Sequence, residues 1–245
     1  MTAYWLLRLI VHLFSGLATC AFLFPFIDTP GREREIQRWS KRLLGICGVK
    51  VTVEETQHAD PNGSVMVVSN HVSWLDIFVI NSLYPCRFVA KSDIRDWPLI
   101  GWLCEKSGTI FIARGRQRDV RKIYESLVES LQQGERIAFF PEGTTAPQGK
   151  ILPFHANLFE AAIEALAPVQ PCAIRYVDKH GRLHRAADFV DEMSFMESIT
   201  MILKSRGMTA ELAFLPQIST GGAHRRELAA QAHDAVKAAL GYSGD

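Results

Sequence analysis

The sequence predicts an α/β fold: a mixed, largely parallel sheet flanked by helices, preceded by an N-terminal apolar and amphipathic helical segment that associates with a membrane. Three observations carry this. Apolar runs rich in Val, Ile and Phe alternate with helix-length stretches between residues 49 and 175, the order of units that builds a parallel sheet. Several of those runs end in Asn-His, Lys, Arg or Pro-Glu-Gly, and open α/β sheets keep their reactive groups at the carboxyl ends of strands. Ahead of them, Leu9 to Ile27 contains no Asp, Glu, Lys or Arg, a run of 19 residues against the roughly 20 that cross a bilayer core as a helix.

That N-terminal run is read as a membrane anchor. His12, Ser15, Gly16 and Thr19 dilute its apolar character and Pro25 ends it. A cleaved signal with Arg8 as its positive region and a buried core helix are the competing readings. Gly31 to Gly48 follows as a helix, with Ile36, Trp39, Leu43, Leu44, Ile46 and Cys47 on one stripe and Arg32, Arg34, Arg38, Lys41 and Arg42 opposite. Such a helix suits the membrane interface, and equally a place packed on the domain. Positive residues on this side of the apolar run put the α/β domain on the cytoplasmic side of the cell membrane, against the inner leaflet. Residues 1–48 are accordingly assigned to a membrane-anchoring segment and 49–245 to the α/β domain.

Within the domain, Val49–Glu54 reads as a strand, Asp60-Pro61-Asn62-Gly63 as a turn, and Val65–Ser69 as the next strand. A helix from Ser73 to Leu83 stops at Tyr84-Pro85. Arg87–Ala90 is a strand that ends at Lys91. Ile94–Ser107, with Trp97, Leu99, Ile100, Trp102 and Leu103, reads as an apolar helical stretch, either plain core or the wall of an acyl groove. Gly108–Arg114 is a short strand, Arg116–Gln133 a helix ended by Gly134, and Arg136–Phe140 a strand running into Pro141-Glu142-Gly143-Thr144-Thr145. A turn and helix occupy 153–166. Val169–Ile174 is a strand whose Pro171 demotes it to an edge or a bulge. Helices at Met193–Lys204 and His224–Leu240, with a strand at Glu211–Leu215, complete the chain.

Composition narrows the class. The chain has 245 residues, is 48% apolar and carries a net charge of +1. That suits one α/β domain with a small appendage. Charge is uneven: residues 1–50 hold seven Lys/Arg against three Asp/Glu, and residues 87–122 hold nine against four. Two local basic zones suit anionic lipid headgroups or a phosphorylated substrate better than a nucleic-acid groove. Five cysteines, Cys20, Cys47, Cys86, Cys104 and Cys172, lie dispersed with no Cys-x-x-Cys pair, which reads as reduced core residues and offers no zinc spacing.

The chemistry is concentrated in Ser69-Asn70-His71-Val72-Ser73-Trp74-Leu75-Asp76. A strand that ends in Asn-His leaves an imidazole at its carboxyl edge. A helix capped by Ser73 places Asp76 in its first turn, where the carboxylate can bend back to one ring nitrogen of His71. The other nitrogen is then left to take a proton from a hydroxyl. Strand ends that face one way gather His71, Asp76, Lys91, Arg114 and Glu142 along one edge, beside a turn able to aim N–H groups at an anion. His155, close to that turn, reads as a surface, capping or supporting residue. Asn70 reads as a brace. Ser73 reads as a cap rather than a nucleophile, because no Gly-x-Ser-x-Gly elbow surrounds it.

These segments resemble the membrane-bound glycerolipid acyltransferases typified by 1-acylglycerol-3-phosphate acyltransferase. Asn70–Asp76 matches that family's first motif, Gly108–Arg114 its second and Phe140–Thr144 its third. Val169–Ile174 loosely matches the fourth, and all four keep the family's order and spacing over about residues 60 to 180. The resemblance implies transfer of a fatty acyl group from acyl-CoA or acyl carrier protein to a lysophospholipid hydroxyl. The leading acceptor is 1-acylglycerol-3-phosphate, giving phosphatidic acid. It implies His71 as general base oriented by Asp76, a substrate-binding set of Lys91, Arg114, Glu142, Gly143 and Thr144, and no metal, cofactor or covalent acyl-enzyme. The oxyanion donor is left open between backbone N–H groups near Gly143 and the Lys91 ammonium.

In one place the chain departs from the family. The third motif of phosphate-using members continues with Arg, where this chain has Thr145. Related members acylate lyso-ornithine lipid, so that acceptor stays open, and Lys150 in the next loop can stand in for the missing charge. A thioester hydrolase on the same scaffold and a membrane-surface binding module are the other readings. The second of these leaves the cluster of His71, Asp76 and Glu142 without a purpose.

Overall fold

The computed structural model describes residues 2–55, 63–112, 117–190 and 192–242. Seven strands form one sheet: β1 (Val49–Glu55), β2 (Val65–Ser69), β3 (Arg87–Lys91), β4 (Ile110–Ile112), β5 (Arg136–Phe139), β6 (Val169–Val177) and β7 (Met208–Phe214). Their order across the sheet is β1-β7-β6-β2-β5-β3-β4. Only the β6–β7 pair is antiparallel among the pairs described. The mixed, largely parallel sheet expected from the sequence is therefore what forms.

The helices are α1 (Thr2–Ala18), α2 (Thr29–Cys47), α3 (Leu75–Asn81), α4 (Ile100–Lys106), α5 (Gln117–Gln132), α6 (Phe159–Glu164), α7 (Phe195–Lys204) and α8 (Arg225–Leu240). β2 lies at the centre. Its Val-Met-Val-Val run has no polar alternation, and every residue of the strand is buried, as a strand covered on both faces requires. One core packs Val65, Val67, Leu75, Val79 and Ile80 against Leu43, Leu44 and Cys47 of α2. The opposite face packs Met66, Val68 and Ile137 with Leu127 and Leu131 of α5, Phe159 of α6 and Leu228 of α8.

The N-terminal helix begins earlier than the uncharged run and, with the turns after it, extends from Thr2 to Phe26, long and apolar enough to cross a membrane. Ser15 Oγ donates to the His12 carbonyl at 2.7 Å and Thr19 Oγ1 to the Ser15 carbonyl at 2.9 Å. Hydroxyls bonded back onto the helix loosen its ladder, and here the helix widens into a π-turn at Thr19–Leu23 before Pro25 ends it. α2 starts on an Asp28 cap with Pro30 in its first turn and stops at Gly48, whose φ of 74° is left-handed. The two helices lock through His12 and Trp39. Their rings stack at 4.4 Å, the His12 carbonyl accepts from Trp39 Nε1 at 3.1 Å, and Gly16 leaves room for the indole.

Three expectations are corrected. The strand carrying Pro171 is interior, between β2 and β7. Pro171 sits where the β7 ladder runs out: its carbonyl accepts from Leu215 N–H at 3.0 Å, and Gln170 Nε2 donates to the Leu215 carbonyl in place of the N–H a proline lacks. Ser73 does not cap α3, which begins at Leu75; its hydroxyl is buried without a hydrogen-bond partner among the described residues. The stretch 94–107 is a 3-10 turn at Ser92–Asp96 and a separate short helix α4, split by a tight turn at Leu99. The expected turn at 60–63 falls for the most part outside the described residues.

Candidate active site

Because β6, β2, β5, β3 and β4 are mutually parallel, their carboxyl ends lie along one edge of the sheet. His71 follows β2, Glu142 follows the adjacent β5 and Lys91 ends the next strand, β3. Arg114, expected beyond β4, lies outside the described residues. Of the remaining sequence-predicted residues, Lys91, Gly143 and Thr144 are exposed, while Asp76 and Glu142 are buried.

His71 Nδ1 stands 2.8 Å from Asp76 Oδ2. The same oxygen accepts from Val72 N–H at 2.7 Å and Ser73 N–H at 2.9 Å, and Oδ1 accepts from the Tyr176 hydroxyl at 2.6 Å. The carboxylate has no exposed surface and is gripped on both oxygens. The imidazole lies flat on Phe140, with centroids 3.9 Å apart and planes 5° from parallel, and Phe88 backs Phe140. With Nδ1 facing the carboxylate, Nδ1 carries the proton and Nε2 presents a lone pair. About 18% of the imidazole remains exposed, enough to meet a substrate from one side.

Glu142 holds the loop rather than facing outward. Its Oε1 accepts from His71 N–H at 2.7 Å and its Oε2 from Leu152 N–H at 2.8 Å. Burial pushes its carboxyl up to about 7, with the Asp76 charge adding and the two backbone donors opposing. Gly143 takes φ of 70° to close the turn, which spends its N–H on the Phe140 carbonyl at 3.1 Å. The Thr144 N–H has no partner among the described residues. His155 stands beside Gly143, its ring within 3.4 Å of where a Cβ would be.

A clasp closes over the pair. The His71 carbonyl accepts from Ala146 N–H at 2.8 Å and the Val72 carbonyl from Phe189 N–H at 3.0 Å. Thr145 Oγ1 donates to the Phe189 carbonyl. Buried Gln148 donates to Asp188 at 3.1 Å and accepts from Tyr176 N–H at 2.6 Å. Asn70 braces the strands, exchanging hydrogen bonds of 2.9 and 2.8 Å with the Ile174 backbone. Tyr176, Phe140 and the Gln148–Asp188 link were not singled out from the sequence. Phe140 opens the third matched motif with no role read for its ring, Tyr176 lies two residues beyond the strand read at Val169–Ile174, and no local spacing ties either to His71.

Among the described residues no group of three His, Cys, Asp or Glu side chains is placed to hold a metal ion. What the edge offers is a fixed base, a turn with a donor N–H and an open side. A His–Asp pair so held at an open sheet edge has the geometry of an acid–base enzyme.

Comparison with known proteins makes the class specific. A family model described as Acyltransferase matches residues 50–175. A lyso-ornithine lipid O-acyltransferase of Pseudomonas aeruginosa is 37% identical over 94% of this chain and 89% of its own. A 1-acyl-sn-glycerol-3-phosphate acyltransferase of Neisseria gonorrhoeae is 35% identical over 75% of this chain and 71% of its own. The crystal structure of the 1-acyl-sn-glycerophosphate acyltransferase PlsC from Thermotoga maritima superposes with a TM-score of 0.69 at 23% identity, covering 98% of this chain and 97% of that one, which shows the shared fold. The chain belongs to the glycerolipid acyltransferase family.

Proposed function

We propose that the protein is a lysolipid O-acyltransferase that moves a fatty acyl group from acyl-CoA or acyl carrier protein to 1-acylglycerol-3-phosphate. The observation that carries this is the His71–Asp76 pair at 2.8 Å, with no hydrogen bond to the second ring nitrogen among the described residues. A lipid alcohol is too weak an acid to ionise near neutral pH, so its proton must leave as its oxygen attacks the thioester carbonyl. His71 Nε2 takes that proton while Asp76 supports the imidazolium. The tetrahedral intermediate expels the thiolate, which recovers the proton from His71. No cofactor enters this balance.

The Thr144 N–H is the donor for the oxyanion on this turn, since the Gly143 N–H is already used. Lys91, Lys150 and Arg114 supply positive charge for the acceptor headgroup. Within residues 1–48, α1 anchors the catalytic domain to the cytoplasmic face of the cell membrane, in keeping with the basic residues of α2, whose apolar stripe packs on the domain.

One observation favours a second acceptor. Thr145, where the resemblance to phosphate-using acyltransferases leads one to expect Arg, turns its hydroxyl onto the Phe189 carbonyl rather than outward. A relative spanning nearly the whole chain carries the name of a lyso-ornithine lipid acyltransferase. The test is an acceptor panel with labelled acyl-CoA. Transfer to 1-acylglycerol-3-phosphate is expected, and transfer to lyso-ornithine lipid alone would assign the second acceptor. His71→Ala should lower transfer about a thousandfold, the scale of a lost general base. Thiol release that continues at full rate without any lysolipid would identify a hydrolase instead.

A further inference from the structure

Between the 3-10 turn Ser92–Asp96 and α4, the chain makes a turn that the catalytic site does not need. The Pro98 carbonyl accepts from Ile100 N–H at 2.7 Å around Leu99, whose φ of 64° and ψ of −46° are the strained form of γ-turn. A leucine held there costs free energy, and such strain collects at functional positions. Gly101 permits the turn, because a Cβ at that residue would lie 2.0 Å from the Arg95 carbonyl oxygen. The result is apolar surface pushed outward: Leu99 is 48% exposed, Trp97 43% and Trp102 39%.

Its place in the fold says what it meets. The segment leaves the carboxyl end of β3, the same edge from which His71 leaves β2. On one side Trp97 packs edge-on against Phe195 of α7, and α7 packs on α1. On the other side the Lys106 ammonium sits 5.8 Å from the centre of the Trp102 ring. The exposed aromatics are therefore joined to α1 through α7, and Leu7, Ile10, Val11 and Phe14 of α1 stand exposed as well. Asp93, Arg95, Asp96, Glu105 and Lys106 nearly cancel, so the surface presents no headgroup-binding charge. Tryptophan at a membrane boundary settles at headgroup depth.

We propose that the turn Trp97–Trp102 is a second bilayer-contacting element, a wedge that enters the interfacial region beside α1 and sets the depth at which His71 meets its lipid acceptor. This rests on the reading of α1 as membrane-associated and of the site as an acyltransferase. The occupant is the lipid surface itself, and because the contact is apolar it depends little on anionic lipid.

The test uses the full chain on phosphatidylcholine vesicles with brominated acyl chains, with and without phosphatidylglycerol. The emission lost between wild type and Trp102→Phe, which keeps an aromatic ring at the position, isolates Trp102. That component is expected to be quenched by brominated lipid with either composition. An unquenched Trp102 overturns the wedge and leaves the surface to a protein occupant such as the acyl donor's carrier. The pair Leu99→Gly with Trp102→Ser should still sediment with vesicles through α1, yet lose about tenfold in turnover of vesicle-borne lysolipid. Its turnover in detergent micelles should match wild type, which excludes misfolding as the cause, and glycine at 99 removes strain. Equal turnover on vesicles overturns the role in setting depth. Absence of acyl transfer by wild type in micelles would refute the functional reading, while the quenching still decides the wedge.

Discussion

Asp76 orients His71 only while its own carboxylate cannot rotate, and Tyr176 is the side chain that stops it. The hydroxyl holds Oδ1 at 2.6 Å from a position 100 residues downstream, fully buried. Tyr176→Phe removes that donor and keeps the ring. We expect kcat to fall about tenfold with KM little changed and a stability loss of about 1–2 kcal/mol. An unchanged kcat would show that the two backbone N–H groups suffice. Glu142 gives a pH test. Its folded carboxyl keeps a proton up to about 7, against an ordinary value of 4.5. Between those values the native state binds more protons than the unfolded chain, so stability from this group is complete below 4.5 and lost as pH rises through about 7. Glu142→Gln removes the titration and turns an amide N–H against a backbone N–H, at a cost of about 1–3 kcal/mol. In thermal melts the wild-type advantage over this variant should shrink as pH rises through that window; a constant difference would refute the shift. The pairing of His71 with Asp76 was legible because they stand five positions apart across one strand-to-helix junction. Tyr176 was not, because its contact is made by the sheet.

Elements were legible where pattern and local chemistry agreed. The continuous apolar run of β2 announced a buried parallel strand, and Gly48 announced the end of α2. They misled where one residue broke a rule and a neighbour repaired it. Pro171 reads as an edge residue, yet it sits inside the sheet because Gln170, 1% exposed, supplies the donor that proline lacks. Gln170→Ala leaves the Leu215 carbonyl buried and unpaired. The expected loss is about 1–3 kcal/mol, read as a lower melting temperature with acyl transfer intact well below it. A neutral substitution would mean that the ladder end tolerates an open carbonyl. The tryptophans of 94–107 hid their own turn, since an apolar run with helical spacing gives no sign of a positive φ at Leu99.

At the scale of the molecule, the gathering of strand ends was legible because alternating strands and helices force parallel pairing. How the N-terminal segment divides between lipid and protein was not. α2 belongs to the core: Leu43, Leu44 and Cys47 are at most 4% exposed and pack on α3 and the sheet. α1 touches the rest through a narrower set, His12 on Trp39 of α2, the packing on α7 and Arg206 over the Trp5 ring at 3.5 Å, while Leu7, Ile10, Val11 and Phe14 face outward. Burying such a side chain in lipid is worth about 1.5 kcal/mol or more, so losing this face should weaken vesicle partitioning by at least about a thousandfold. A chain lacking residues 1–27 keeps α2 and its contacts with α3 and the sheet. It should melt cooperatively, transfer acyl groups to acceptor in detergent micelles, and fail to sediment with vesicles. A chain lacking residues 1–48 removes Leu43, Leu44 and Cys47 from the core, a loss of about 2–5 kcal/mol for each large side chain. That sum approaches or exceeds the whole stability of an ordinary domain. It should show no cooperative melt. If the longer truncation folds as well as the shorter, α2 belongs with the anchor; if the shorter one still binds vesicles at full strength, the anchor is not α1.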